Sequence, residues 1–239
     1  MNLLAIDSSS KVASCALLSG ERLLGEVYLD AGLVHSTTLA PMVKHLLDLS
    51  SFNIKDVDLF CVSNGPGSFT GVRIGVSLVK GMALALGKET LGVSTLYSMA
   101  FNTIDIKDAV ICPCMDARRS QLYTAIFNLE NLKITRITED TAIGCEGLFS
   151  KLLEYKNRNI ILAGDGADLF FNFVKEKGVS LNSKIRILSH GYRYQTARNV
   201  AFAALDLLKK GEKTVKPKDL GINYLRPSQA EISNNLFIS

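Results

Sequence analysis

Three strand-like runs open the chain, at Leu3–Ile6, Val12–Leu18 and Arg22–Leu29. A helix follows over Ser36–Leu49, then a strand at Val57–Ser63, a long helix over Thr70–Leu86, a strand at Thr90–Val93 and a short helix over Leu96–Asn102. The same order then begins again. Strands are predicted at Ala109–Met115, Gln121–Asn128 and Lys133–Thr138, a helix over Cys145–Tyr155, a strand at Ile160–Ala163, a helix over Ala167–Lys177, a strand at Lys184–Leu188 and a helix over Thr196–Lys210. Antiparallel strands on short connections, followed by alternating helices and strands, imply two α/β lobes, each a mixed sheet covered by helices. The chain divides at 1–105 and 106–239, with the last helix and the tail expected to pack back on the first lobe. A cleft between two such lobes is the first place to look for a ligand.

Composition narrows the function classes. With 239 residues, 47% of them hydrophobic and 21% charged, the chain is apolar enough to build two cores and too apolar for a disordered protein. A net charge of +4 is too small for a nucleic-acid groove across the body. From Lys209 onward five Lys and one Arg face Glu212, Asp219 and Glu231, which makes a modest basic tail. The N-terminus has no basic segment of a secretory signal, and Arg73 and Lys80 interrupt the longest apolar stretch, Val72 to Leu86, which argues against a membrane span. Five cysteines, an odd number, three of them in apolar strand-like runs, read as buried reduced thiols of a cytoplasmic protein. Cys112 and Cys114 are the one close pair, and neither they nor His35, His45 and His190 cluster as metal ligands would.

Four segments carry possible chemistry. Asp7-Ser8-Ser9-Ser10 ends the first strand and reads either as a turn offering donors to a phosphate, with Asp7 on a metal, or as an Asx turn. Asp116 ends the corresponding strand of the second half, so Asp7 and Asp116 together can face one magnesium–nucleotide complex; equally, Asp116 can pair with Arg118 or Arg119. Gly164-Asp165-Gly166 is a strand-to-helix turn that can sit against an adenine or ribose. The most distinctive stretch is Gly65-Pro66-Gly67-Ser68-Phe69-Thr70-Gly71-Val72-Arg73-Ile74-Gly75. It is a tight loop with Ser68 or Thr70 as N-cap, and it lacks the Gly-Lys-Ser/Thr triplet of a Walker loop. Gly71 and Gly75 share a helix face that Ser77 and Gly81 widen. Interior helix glycines cost about 0.5–1 kcal/mol each, so another backbone should approach closely, either the chain's own sheet or a second subunit.

Leu4-Ala5-Ile6-Asp7, His35-Ser36, the Gly65–Gly75 block with Lys80-Gly81, Asp116-Ala117-Arg118, Gly164-Asp165-Gly166 and Tyr224-Leu225-Arg226 together resemble the TsaB (YeaZ) family over essentially the whole chain. The resemblance implies a two-lobed actin/sugar-kinase/Hsp70-like (ASKHA) α/β fold. It implies a role in forming threonylcarbamoyladenosine next to the anticodon of tRNAs that read codons beginning with adenine. In that family the chain is a non-catalytic partner of the TsaD transferase, joined by the TsaE ATPase, with tRNA reached through the complex. TsaC-type enzymes supply the threonylcarbamoyl-adenylate. The basic tail is then a candidate tRNA contact. Catalytic subunits like TsaD carry a His-x-x-x-His pair, which His35 and His45, ten residues apart, do not reproduce.

The implied heterodimer joins N-terminal lobes through two helices of each. Here that assigns Leu39, Met42, Val43 and Leu46 of the first helix and Gly71, Val72, Gly75, Val76 and Val79 of the second to the interface. Gly75→Leu is then expected to block association without unfolding the chain. A homodimer through the same helices is expected when the partner is absent, and no cofactor or metal is expected. The alternative reading is an ATPase or phosphotransferase using the interlobe cleft, with Asp7, Asp116, Gly164 and Gly166 at its nucleotide.

Overall fold

Each lobe grows from one central strand that is buried at all but one end residue. In the computed structural model, which describes residues 1–103, 106–177 and 185–226, these are β1 (Asn2–Asp7) and β6 (Ala109–Asp116), near-continuous apolar runs of the kind a doubly covered sheet requires. The first lobe adds β2 (Ala13–Ser19), β3 (Arg22–Leu29), α1 (His35–Leu49), β4 (Leu59–Gly65), α2 (Phe69–Leu86), β5 (Glu89–Ser94) and α3 (Thr95–Ala100). Its sheet runs β3-β2-β1-β4-β5, antiparallel through the two hairpins and parallel from β1 to β4 to β5.

The second lobe continues with β7 (Gln121–Thr124), β8 (Phe127–Glu130), β9 (Lys133–Arg136), β10 (Thr141–Gly144), α4 (Cys145–Leu152), β11 (Asn159–Ala163), α5 (Ala167–Glu176), β12 (Ile185–Ile187), α6 (His190–Arg193) and α7 (Ala197–Lys209). Its sheet runs β10-β7-β6-β11-β12, with β8 also on β6 and β9 on β8. Two expectations change here. The run predicted as one strand, Gln121–Asn128, breaks at Ala125–Ile126, so β7 pairs with the end of β6 and β8 with its start. The break is held by the chain itself: the Ile126 amide donates to Thr138 Oγ1 at 2.8 Å and its carbonyl accepts from the Ile137 amide at 2.8 Å. The short edge strand β10, absent from the prediction, pairs with β7. Lys184, the predicted start of the last strand, lies outside the described residues.

Helices and sheets alternate in five layers. One core lies between the first sheet and α1 with α2, and another between the second sheet and α4 with α5. The third joins the lobes: Leu3 and Ala5 of the first sheet, Ile111 and Phe127 of the second, and the buried alanines of α7 belong to one cluster. Ala197, Ala201 and Ala204 let α7 lie close against β1, β2, β4 and β5, although it follows the second lobe in sequence. Polar groups bridge the lobes as well, with Lys210 Nζ 2.6 Å from Asp206 and 2.9 Å from the Tyr97 hydroxyl.

Beyond α7 the chain returns over the first lobe as a strap. Val215 and Thr90 exchange both backbone hydrogen bonds, which covers the open edge of β5. Leu220 is buried beside α2, the Asn223 amide donates to the Asn64 carbonyl at 2.8 Å, and Arg226 Nη1 donates to the Ala117 carbonyl of the second lobe at 2.7 Å.

Candidate partner face and the sealed cleft turn

The glycines of the Gly65–Gly75 block let three pieces of this chain meet. Gly65 has φ +117°, and a Cβ there would stand 2.4 Å from the Asn223 carbonyl oxygen. At Gly67 it would stand 2.2 Å from the Ser9 carbonyl oxygen, and at Gly71 2.1 Å from that of Ser8. At Gly75 it would meet Ser8 Oγ at 2.5 Å. The turn after β1 is therefore pressed against the start of α2. Hydrogen bonds fix it there: the Ser68 amide donates to the Ser9 carbonyl at 2.6 Å, Ser8 Oγ donates to the Gly71 carbonyl at 2.9 Å, and Ser68 Oγ caps the Gly71 amide at 3.2 Å. Of the two approaching backbones that the sequence allows, the one at Gly71 is the chain's own, and Gly75 meets the side chain of the same Ser8.

That packing places the residues assigned to the interface largely in the chain's own core. Leu39, Met42, Val43 and Leu46 of α1 and Val72, Val76 and Val79 of α2 are each 5% exposed or less, in the core over the first sheet, and Gly71 and Gly75 are buried against Ser8. Their side chains pack into the chain's own core, with Leu39 and Val43 also reaching the groove walls described below, so Gly75→Leu is a core substitution rather than an interface probe. A neighbouring stripe is only half-buried. Ile74, Leu78 and Met82, four residues apart on α2, form a second apolar stripe beside Ala40 and Lys44 of α1. Two grooves follow this seam. One of about 720 Å³ is lined by Ala40, Lys44, Leu47, Phe52, Leu78 and Met82, and one of about 500 Å³ by His35, Ala40, Phe69, Arg73, Ile74 and Leu78.

The stripe escaped the sequence reading, although a signal for it exists: α2 is apolar on two faces where a one-sided surface helix needs only one. Among the described residues α2 is also the one helix long and apolar enough to cross a membrane. Here one of its apolar faces lies on the sheet and the other along the α1 seam.

The cleft candidates are tied up by the chain itself. Asp7 is 1% exposed; its Oδ1 accepts from the Ser9 amide at 2.9 Å and the Ser9 hydroxyl at 2.8 Å, and its Oδ2 accepts from Ser63 Oγ. Asp116 occupies the matching strand end but is exposed. Its carboxylate accepts from the Arg118 amide at 2.7 Å and stands 3.8 Å from that guanidinium, while its own amide donates to Asp165 Oδ1 at 3.0 Å. Burial raises the Asp165 carboxyl above the usual carboxylate range. Gly164 and Gly166 are packing glycines. The Gly164 amide donates to the Arg193 carbonyl at 2.8 Å and the Gly166 amide to the Cys114 carbonyl at 2.9 Å, and a Cβ at Gly164 would stand 2.2 Å from the Cys114 carbonyl oxygen. Among the described residues no three or more metal-ligating side chains come together, and all five cysteines are free thiols.

Burial raises the Asp7 carboxyl above its ordinary value, and the hydrogen bonds from Ser63 and Ser9 lower it only part of the way back. The fold therefore favours the protonated form. The resulting stabilisation is fully present below the unfolded value of 3.8 and is lost as pH rises through the folded value. Asp7→Asn removes this dependence. In urea unfolding, wild type is expected to gain stability relative to Asp7→Asn as the pH falls from about 7 to about 4; a constant difference would count against a strained, buried carboxylate.

Comparison with known proteins agrees with this architecture. The family model for TsaD, tRNA N6-adenosine threonylcarbamoyltransferase, matches residues 29–234. The tRNA threonylcarbamoyladenosine biosynthesis protein TsaB of Bacillus subtilis (strain 168) is 31% identical over 176 residues, which is 74% of this chain and 76% of that one. YeaZ from Pseudomonas aeruginosa superposes with a TM-score of 0.78 at 25% identity, covering 94% of this chain and 99% of that chain. The ROK hexokinase of Thermus thermophilus, at a TM-score of 0.50 and 10% identity over 88% of this chain and 100% of that one, shares the fold alone. On an ASKHA-type two-lobed fold, with the TsaD-type family model spanning most of its length, the chain belongs to the TsaB family.

Proposed function

We propose that this chain is the non-catalytic subunit of the cytoplasmic assembly that forms threonylcarbamoyladenosine on tRNA. It binds a TsaD-type transferase through the outward face of α1 and α2, alongside a TsaE-type ATPase, and meets tRNA through the complex. The observation that carries this reading is the half-buried Ile74–Leu78–Met82 stripe, an apolar face that flanks the filled side of α2 and lines both grooves of the α1 seam. Such a face favours a protein partner. Alone, the chain covers it by pairing with a second copy. The activating mechanism is a population shift, in which this chain binds one arrangement of the transferase lobes better than the others and so enriches it.

The nucleotide-enzyme reading has less support. The turn after β1 would have to receive phosphate, yet Ser8 and Ser9 are engaged by α2, and the Asp7 oxygens already accept three hydrogen bonds. The deciding experiment is reconstituted tRNA threonylcarbamoylation with TsaD, TsaE and a TsaC-type enzyme, with and without this chain. Product that depends on this chain, and is absent when TsaD is withheld, supports the reading. Equal product without the chain overturns it. Of the basic tail, residues 227–239 lie outside the described residues; deleting the chain after Lys216 and finding tRNA binding by the complex unchanged in strength and salt dependence would end its assignment as a tRNA contact.

A further inference from the structure

The strap and α2 together fix the geometry of one exposed arginine. The Arg73 guanidinium carbon lies 3.7 Å from the centroid of the Phe69 ring and 5.5 Å from that of Tyr224, and the two rings are 5.3 Å apart. Arg73 Nε donates to the Tyr224 hydroxyl at 2.6 Å. Tyr224 is held in turn by its neighbours in the strap: the Asn223 amide on the Asn64 carbonyl, Asn64 Nδ2 on the Gly221 carbonyl at 3.2 Å, and Arg226 on Ala117. A long, exposed side chain that would otherwise sample many rotamers is thus confined by a stack and a hydrogen bond.

Among the described residues the terminal guanidinium nitrogens meet no carboxylate, and none of the residues lining the groove beside Arg73 is acidic. In the adjoining groove the carboxylate of Asp48 is already paired with Lys44 at 2.5 Å. With Nε engaged, Arg73 presents its two terminal nitrogens as a fork, the geometry that takes a carboxylate in two parallel hydrogen bonds. The rest of the groove is largely apolar, with Leu39, Ala40, Ile74 and Leu78 in its walls. A nucleic-acid backbone needs a series of cations, whereas one arginine in an apolar groove matches one acidic side chain on an apolar protein surface.

We propose that Arg73 is the receptor for a single carboxylate that a protein partner inserts into the groove between α1 and α2, and that Tyr224 is the positioning residue that orients it. The inference rests on the reading that this face binds the transferase. It adds which side chain selects the partner and why the C-terminal strap crosses α2 at that point.

Calorimetric titration of the purified chain into the TsaD-type transferase, at low and high salt, tests it. Arg73→Met is expected to weaken binding about 10- to 100-fold and to flatten the salt dependence. Arg73→Lys, which keeps the charge without the fork, is expected to recover only part of the loss. Tyr224→Phe keeps the ring and removes the hydrogen bond, with an expected loss of about 3- to 10-fold, mostly in the off-rate. Arg73→Glu is expected to be rescued by one acidic-to-arginine substitution on the transferase, a result that a purely structural role would not give. Circular dichroism of each variant confirms its fold, and Arg73→Lys and Tyr224→Phe carry the test if Arg73→Met does not fold. A wild-type chain that fails to bind the transferase overturns the functional reading and this inference with it. Wild-type binding with Arg73→Met, Arg73→Lys and Tyr224→Phe unchanged overturns this inference alone. Loss of tRNA binding in Arg73→Met with transferase affinity unchanged overturns it in favour of a phosphate receptor.

Discussion

Gly71→Ala is expected to lower the melting temperature by about 6–12 °C, the fall that roughly 3 kcal/mol produces in a chain of this size. The added Cβ would lie 2.1 Å from the Ser8 carbonyl oxygen, a backbone atom of the short turn between β1 and β2. Ser8 cannot swing aside, because its hydroxyl is bonded to the Gly71 carbonyl and the next residue's carbonyl holds the Ser68 amide. At Gly75 the nearest atom is Ser8 Oγ, the mobile end of a side chain, so Gly75→Ala is expected to cost less than Gly71→Ala although it disturbs that same hydrogen bond. Gly81 is exposed, with nothing within 4 Å of its added Cβ. Gly81→Ala is therefore expected to raise the melting temperature by about 2–4 °C, since alanine is about 1 kcal/mol better than glycine in a helix interior. Thermal unfolding of the three variants checks the order. A melting temperature for Gly71→Ala within about 2 °C of wild type would show that the turn yields, and that the close approach does not fix the glycine.

Gly71 and Gly75 mark how far the sequence can be read. Their spacing announces a close approach to α2, but the atom that approaches belongs to Ser8, 63 residues before Gly71. Spacing along one helix carries no record of what packs on it. The doubled order of elements was legible because buried strands and amphipathic helices write their own periodicity into the chain. The break at Ala125–Ile126 was not, since residues on both sides stay apolar and the break is satisfied from Ile137 and Thr138. Asp7 and Asp116 hold equivalent strand ends, as their positions suggested. The sequence could not assign one to the interior and the other to solvent, because that difference comes from Ser63 and from the seating of α2. The interface assignment drew mainly on core residues for a related reason. Its apolar positions were those with the most regular spacing, and the most regular stripe is the one that a chain's own sheet covers first.

Leu78→Arg is expected to weaken association with the transferase by more than about 100-fold, roughly 3 kcal/mol, while the isolated chain stays folded. Leu78 lines both grooves, at the middle of the α1–α2 seam, and it is only half-buried in the free chain. In a complex through this face it would lie at the centre, where truncation or charge costs most and where an unpaired guanidinium would have to leave water. In the free chain the arginine stem can lie along the groove with its head in solvent, so the expected fall in melting temperature is below about 4 °C. Val76→Arg supplies the contrast. Val76 lies two residues away on the opposite, sheet-facing side and is 3% exposed, so a charge there enters the core over β1 and β4 and is expected to unfold the chain. Two substitutions of the same kind, two positions apart, thus separate the face that holds the fold from the face that meets a partner. Binding titration and thermal unfolding of both variants decide the matter: a folded Leu78→Arg chain with wild-type affinity would remove the α1–α2 seam from the interface, whereas loss of binding in a folded Leu78→Arg chain places the partner on the outward stripe.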